Sequence, residues 1–356
     1  MGRAAWIIFW TMISGQLLAQ SPDSLLLKDY QPRSIFNIPE SKVTRARFPV
    51  IDMHSHPYAL TAADLQRWIV SMDSAGIEQT MILTYATGAE FDSLREVYGA
   101  FGERFQLWCG FDYTGYNEPG WTEKAIKELE RCHSLGAIGV GELGDKGLGL
   151  TYSHPTPAYG MHINDPRMQP LLKRCGELGM PVNIHVAEPA WMYEPMDATN
   201  DGLMNGFKWR IDQQQEGILL HEALIQTLAE ALRANPGTTF IACHFANCSA
   251  DLSILGSLLD RFPNLYADIS ARYGETATIP RTMAAFYTQY QDRLLFGTDM
   301  GSEPEMYEIV FRILETEDEH FYQPAYFNYH WPLYGFGLSD SILKKLYYEN
   351  AQKILD

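Results

Sequence analysis

From residue 48 onward the chain repeats one pattern: a short β-branched or aromatic run, a few polar residues, then a longer stretch with helical period. The runs that read as strands are 49–55, 80–86, 106–112, 137–143, 181–187, 238–245, 265–271 and 294–299. Between them, Leu65, Trp68, Ile69 and Met72 recur at the i, i+3, i+4, i+7 spacing of an amphipathic helix, and Leu252, Leu255, Leu258 and Leu259 form a second apolar stripe. Gly76 and Gly136 read as helix stops, and Asp165-Pro166 as the start of a helix that Gly179 ends. Eight such alternations match an α/β fold of the (β/α)8 TIM-barrel type better than an open doubly wound sheet. No G-x-G-x-x-G follows the first strand, which removes the main cue for a dinucleotide fold. With 46% hydrophobic and 20% charged residues, the 356-residue chain has material for one large core. No linker or shift in composition divides it, so 48–356 reads as one barrel domain and 20–47 as an N-terminal arm.

Residues 1–19 form a separate object. Arg3 is a short positive start, Ala4 to Leu18 is largely apolar, and Ala19 in "LLAQS" offers a small residue for cleavage. That is the layout of a secretory signal peptide, and the apolar stretch is shorter than the roughly 20 residues of a membrane span. The expectation is a mature chain that starts near Gln20 and is exported, periplasmic or secreted, without stable membrane insertion. A net charge of −17 argues against nucleic acid or an anionic membrane surface as partner and leaves a small-molecule substrate. The five cysteines (Cys109, Cys132, Cys175, Cys243 and Cys248) show no repeated C-x-x-C, so neither a disulfide framework nor a zinc–thiolate site is indicated. They read as small core residues.

Three connections are longer than a plain barrel needs: 145–164, 189–218 and 316–338. The last is dense in aromatics, "FYQPAYFNYHWPLYGFG". Such a segment fits a lid or pocket wall, and equally a surface that packs against a second subunit in a homo-oligomer.

The active site of such a barrel lies at the C-terminal ends of its strands. The first strand ends in "IDMHSHP", where His54 and His56, two apart, point to one face. The fourth, "AIGVGELGD", ends in Glu142; the fifth, "PVNIHVAEP", carries His185. The sixth, "TTFIACHFAN", carries His244, and the eighth, "LLFGTDMGS", carries Asp299. Each is an ionisable residue in an apolar run, costly unless paired or metal-bound. Singly, each is more often satisfied by a backbone group than by a metal. Six at equivalent positions on five strands converge on one axis because the strands do.

These motifs resemble the amidohydrolase superfamily of metal-dependent barrels, in the family's order and along nearly the whole mature chain. Within it, the chain is similar to the amidohydrolase-related branch that contains aminocarboxymuconate-semialdehyde decarboxylase and several barrel lactonases. The resemblance implies that His54, His56, His185 and Asp299 bind one divalent metal, with His244 beside it as a catalytic histidine. It carries no substrate preference, because the branch hosts hydrolases, hydratases and decarboxylases. Glu142 departs from the single-metal pattern, since "GELGD" resembles the strand-four glutamate that bridges two ions in TatD-type deoxyribonucleases. The competing reading pairs Glu142 with Arg272 or Lys146. One ion is expected, two if Glu142 bridges, with Zn²⁺ the expected metal and Mn²⁺ the alternative. The acidic chain suits no nucleic acid, so the nuclease analogy stops at the metal.

Such a set activates water for hydrolysis of a small amide, ester or lactone. Asp299 is the expected proton shuttle and His244 the group that polarises the carbonyl. Non-oxidative decarboxylation of a small carboxylic acid is the alternative with the same ligands, and an exported, non-catalytic metal- or ligand-binding barrel is the alternative of another class. For substrate binding the candidates are Arg272 in "DISARYG" and Trp191 and Tyr193 in "EPAWMYEP", with His330 and Trp331 as further pocket walls.

Overall fold

The computed structural model describes residues 21–152, 156–326 and 329–356, so the signal-peptide reading of 1–19 lies outside the described residues. Eight parallel strands carry the apolar runs: Val50–Ser55 (β1), Ile77–Leu83 (β2), Phe105–Trp108 (β3), Val140–Asp145 (β4), Val182–Val186 (β5), Phe240–Ala242 (β6), Leu265–Asp268 (β7) and Leu294–Leu295 (β8). All six residues of β1, and all six of β4, are buried, as expected for strands covered on both faces. In space β1, β2 and β3 pair in order, and β4, β5, β6, β7 and β8 follow in order. Backbone bonds join the two sets at both seams. Gly141 N–H reaches Cys109 O at 2.9 Å between β3 and β4, while Met53 N–H reaches Phe296 O and Asp299 N–H reaches His54 O, both at 2.9 Å, between β1 and β8. The ring is therefore a closed (β/α)8 barrel. The buried Asp52 carboxylate tightens the second seam, accepting from Thr298 N at 3.0 Å and Thr298 Oγ1 at 2.6 Å, and so fixes the chain just before Asp299.

Helices cover the outside between the strands. Thr61 caps the helix Ala62–Ala75 by accepting from Asp64 N, and Gly76 ends it in a left-handed conformation with φ 86°. Its face of Leu65, Trp68 and Met72 is buried, with Ile69 packed at the margin. Three expectations shift. The second strand begins at Ile77 instead of residue 80 and ends at Leu83, because Tyr85 takes a positive φ of 58° that no strand continues through. The eighth strand ends at Leu295, and Asp299 likewise has φ 59°. The helix expected from Asp165-Pro166 starts later, at Gln169: the Asp165 side chain caps a turn, accepting from Arg167 N, and Met168 N–H closes that turn on Asp165 O.

The three long connections gather over the strand ends. Residues 145–164 carry a small hairpin of Gly149–Leu150 and Ala158–Tyr159, 189–218 a short helix Leu203–Trp209, and 316–338 a bridge between Phe321 and Leu333. All three send side chains into one cavity, namely Lys146 and Tyr152, then Met204 and Trp209, then Tyr326 and Tyr329. The arm runs across the last connection, with Ser41 bonded to Asp318 and Ser34 to His320. The five cysteines are buried and unbridged. Among the described residues no helix is long and apolar enough to cross a membrane.

Candidate metal centre

The floor of a cavity of about 480 Å³ at the C-terminal strand ends collects the six residues singled out above. On β1, His54 directs Nδ1 at Asp268 Oδ2 (2.9 Å) and His56 directs Nδ1 at Leu83 O (3.0 Å). A carbonyl only accepts, so Nδ1 of His56 carries a proton and Nε2 is the nitrogen turned inward, toward Asp299 Oδ1. His244 repeats the arrangement with Nδ1 on Ser270 O at 2.9 Å. Its backbone is unusual. His244, Phe245, Ala246 and Asn247 all have φ between 53° and 58°, a left-handed turn costing about 1–2 kcal/mol per residue. Asn247 Nδ2 secures it by donating to Val186 O and Ala187 O, and His244 N–H donates to Asp268 Oδ1.

Glu142 is central. Its Oε1 lies 3.1 Å from His185 Nδ1, 3.4 Å from His244 Nε2 and 3.9 Å from His54 Nε2, and its Oε2 lies 3.7 Å from His56 Nε2. Asp299 faces it across the imidazoles, with Oδ1 2.9 Å from His56 Nε2 and 3.6 Å from His54 Nε2, and Oδ2 3.7 Å from His244 Nε2. The salt-bridge reading of Glu142 does not hold: Lys146 pairs with Glu188, and the Arg272 guanidinium donates to Asn247 Oδ1 from Nε (3.0 Å) and Nη2 (2.6 Å). Two buried nitrogens, His54 Nε2 and His185 Nε2, have no hydrogen-bond partner. Imidazole nitrogens left without a partner beside two carboxylates are, once deprotonated, the donor set of a divalent transition-metal site.

The amidohydrolase family model matches residues 51–356. The chain belongs to the amidohydrolase family. No curated protein matches the sequence. Among solved structures the barrel is similar to a TIM-barrel protein of Bordetella bronchiseptica, with 18% identity, TM-score 0.55, and 86% of this chain and 98% of that one covered. A dihydroxybenzoic acid decarboxylase from Polaromonas sp. JS666, solved with manganese and 2-nitroresorcinol, is 16% identical at TM-score 0.55, covering 86% of this chain and 97% of that one. A probable 2-pyrone-4,6-dicarboxylic acid hydrolase from Acinetobacter baumannii, with citric acid bound, is 12% identical at TM-score 0.50, covering 86% and 99%. At these identities the likeness is one of fold. Family membership and the donor set together make the protein a divalent-metal-dependent enzyme of the amidohydrolase superfamily.

The charges of this amidohydrolase centre call for a cation. Burial opposes a charged carboxylate at Glu142, yet the bond from His185 and the charges of His185 and His54 hold it well below the usual range. Asp299 is likewise held down, against burial, by His54 and His56. Burial also opposes a charged His54, but Asp268 and Asp299 raise it from 6.5 to about 10; His56 and His185 are raised too, against burial, by Asp299 and Glu142 respectively. His244 alone is lowered, by burial and by Arg272. Without a metal the centre therefore stores protons. Because His54 titrates higher folded than unfolded, its stabilising contribution to the metal-free protein is complete below about pH 6.5 and vanishes as pH rises through about 10. A metal displaces that proton. Addition of Zn²⁺ in unbuffered solution at pH 7 is expected to release at least about one proton per chain, and metal affinity to climb with pH between about 6.5 and 10. A pH-stat titration reads both, and binding without proton release would contradict this charge assignment.

Sequence reasoning missed Asp268 and Tyr85. Asp268, wholly buried at the end of β7, bonds His54, His244 N–H, Ser270 and Asn183, and so orients two of the imidazoles at once. Its signal was present, a carboxylate closing the apolar run "LYAD". Asp268→Asn is expected to weaken metal binding about 10- to 100-fold by calorimetry, the usual cost of losing a group that orients a ligand. Tyr85 gave no signal, since tyrosines are common near strand ends.

Other expected residues sit elsewhere. Arg272 lines the cavity. Trp191 and Tyr193 do not: the turn Ala190–Met192 sends Met192 inward, Trp191 packs on Trp331 (5.7 Å between rings), and the Tyr193 hydroxyl accepts from Glu188 N. They brace the wall from behind. Trp331 is a brace as well, donating from Nε1 to Gly274 O, while His330 packs against Tyr30 of the arm. The role of His244 also changes. With Nδ1–H spent on Ser270 O and the ring kept neutral, its Nε2 offers a lone pair and cannot donate to a carbonyl oxygen.

Proposed function

We propose that the enzyme hydrolyses a small amide, ester or lactone. Divalent metal held by His54, His56 and Asp299, and beside them by Glu142 and His244 with Cys243 and His185 alongside, would supply Lewis acidity and lower the pKa of water. The residues supply the rest. Asp299, ionised and one-fifth exposed to the cavity, accepts the proton of the attacking water and passes it to the leaving group. His56, 2.9 Å away, holds that carboxylate in place, and Glu142 ties the two histidine pairs together. The Tyr58 and Tyr85 rings wall the cavity beside His56, and the Tyr152 ring walls it beside His185.

The observation that favours hydrolysis over decarboxylation is the commitment of two of the three Lys and Arg cations lining the cavity, the third, Lys208, lying over the Trp209 ring. A decarboxylase must hold a substrate carboxylate, and here Lys146 is paired with Glu188 and Arg272 with Asn247 and Glu275. The test is a panel of lactones, esters and amides, assayed for acid and for CO₂, with Zn²⁺- and Mn²⁺-loaded protein and a chelated control. Zn²⁺-dependent acid release is the expected result. Metal-dependent CO₂ release without hydrolysis would replace the reading with decarboxylation, and no turnover by fully loaded protein would favour a binding protein. The segment Ala4–Leu18 supports export as part of the same proposal, and N-terminal sequencing of protein from its native host should begin near Gln20. Retention of Met1 would refute it.

A further inference from the structure

Beyond Lewis acidity, hydrolysis at this centre gains from a hydrogen-bond donor of the protein's own. As water adds, negative charge develops on the carbonyl oxygen and is stabilised by such a donor, whereas His244 presents an acceptor. Tyr85 is held in a conformation that large side chains avoid, φ 58°. Its surroundings enforce that conformation. Tyr85 N–H donates to Gly141 O at 3.3 Å, and a Cβ on Gly110 would run into the Tyr85 carbonyl, so only glycine fits there. The result is a phenol aimed at the centre. Its ring stacks on His56 (4.9 Å, 15°), and its hydroxyl lies 3.0 Å from His56 Nε2 and 3.3 Å from Glu142 Oε2, on the cavity wall. The hydroxyl's one proton is directed at Glu142 Oε2; once Glu142 and the His56 lone pair both serve metal, the O–H is left to donate to an acceptor in the cavity.

We propose that Tyr85 is a catalytic residue whose hydroxyl donates to the carbonyl oxygen of an acyl substrate that enters on the β2 side of the centre. The assignment rests on the hydrolytic reading. In the step, the water oxygen bonds to the acyl carbon and the C=O electron pair moves onto oxygen, where it accepts from Tyr85 O–H. The proton of water goes to Asp299. The pair then returns, the bond to the leaving group breaks, and that group takes the proton from Asp299. Tyr85 keeps its proton throughout.

Tyr85→Phe tests the role, since it keeps the stack on His56 and removes one oxygen. The probe is acetohydroxamate, titrated calorimetrically into Zn²⁺-loaded protein. The variant is expected to bind it about 10- to 100-fold more weakly, with metal content and Tm unchanged. On the best substrate of the panel, kcat should fall about 10²- to 10³-fold with KM nearly constant. Equal acetohydroxamate affinity in the two proteins overturns the proposal. So does loss of metal from the variant, which would make Tyr85 a support for the ion, and so does a wild type that does not bind the probe. If the wild type hydrolyses nothing while the variant still loses probe affinity, the hydrolytic reading fails and the hydroxyl stands as a donor to bound acyl groups.

Discussion

Asp299→Asn is expected to lower kcat for the best hydrolysed substrate by about 10²- to 10⁴-fold, the range of a lost general acid–base group. The substitution keeps the shape of the side chain and the φ 59° bend that places it, and removes its charge. Asp299 is ionised at neutral pH because, against burial, His54 and His56 hold its carboxyl low. An amide there can neither take a proton from water nor return one to a leaving group. Elemental analysis must accompany the kinetics, because Oδ1 also faces His54 and His56 at metal-ligand range. A variant that retains its metal yet has lost two or more decades of kcat separates the shuttle from the ligand role. Turnover within tenfold of wild type would remove Asp299 from the proton path.

Glu142→Gln is expected to take the metal content from close to two ions per chain to about one, because this carboxylate alone contacts all four imidazoles. The metal-free variant should also lose about 3–5 kcal/mol in denaturant unfolding, the usual cost of removing one partner from a buried charged cluster. The sign in pH follows from the depressed carboxyl. The contribution of Glu142 is present above its unfolded value near 4.5 and is lost as pH falls through its lower folded value, so wild type and variant converge in strong acid. If the wild type holds one ion and the variant keeps it, the two-position proposal is refuted while the enzyme remains.

The barrel and the strand-end donors were legible because both are local signals. Periodicity marks each strand and helix, and an ionisable residue inside an apolar run marks a site. Where the local signal misled, the backbone had left its regular path. "TYA" looked like strand from 84 to 86, but Tyr85 turns left-handed, and "CHFAN" reads as strand although His244 to Asn247 form a left-handed turn. Loop aromatics were the weakest ground. Trp191 and Tyr193 are as apolar as Met192, and only the turn of Ala190–Met192 decides which of them meets the cavity.

By itself the sequence determined the order of elements, the parallel barrel architecture and the set of ionisable residues that the strand ends bring together, since each follows from spacing and from the cost of burying charge. The tertiary structure decided their chemistry. Which nitrogen of His54 faces the centre depends on Asp268, 214 residues away, and the acceptor state of His244 depends on Ser270, 26 residues on. The pairing of Lys146 with Glu188 and of Arg272 with Asn247 joins loops from different strands. A tautomer or an ion pair is set by whichever group stands within about 3 Å of it, and that neighbour is fixed only when the ring of strands closes.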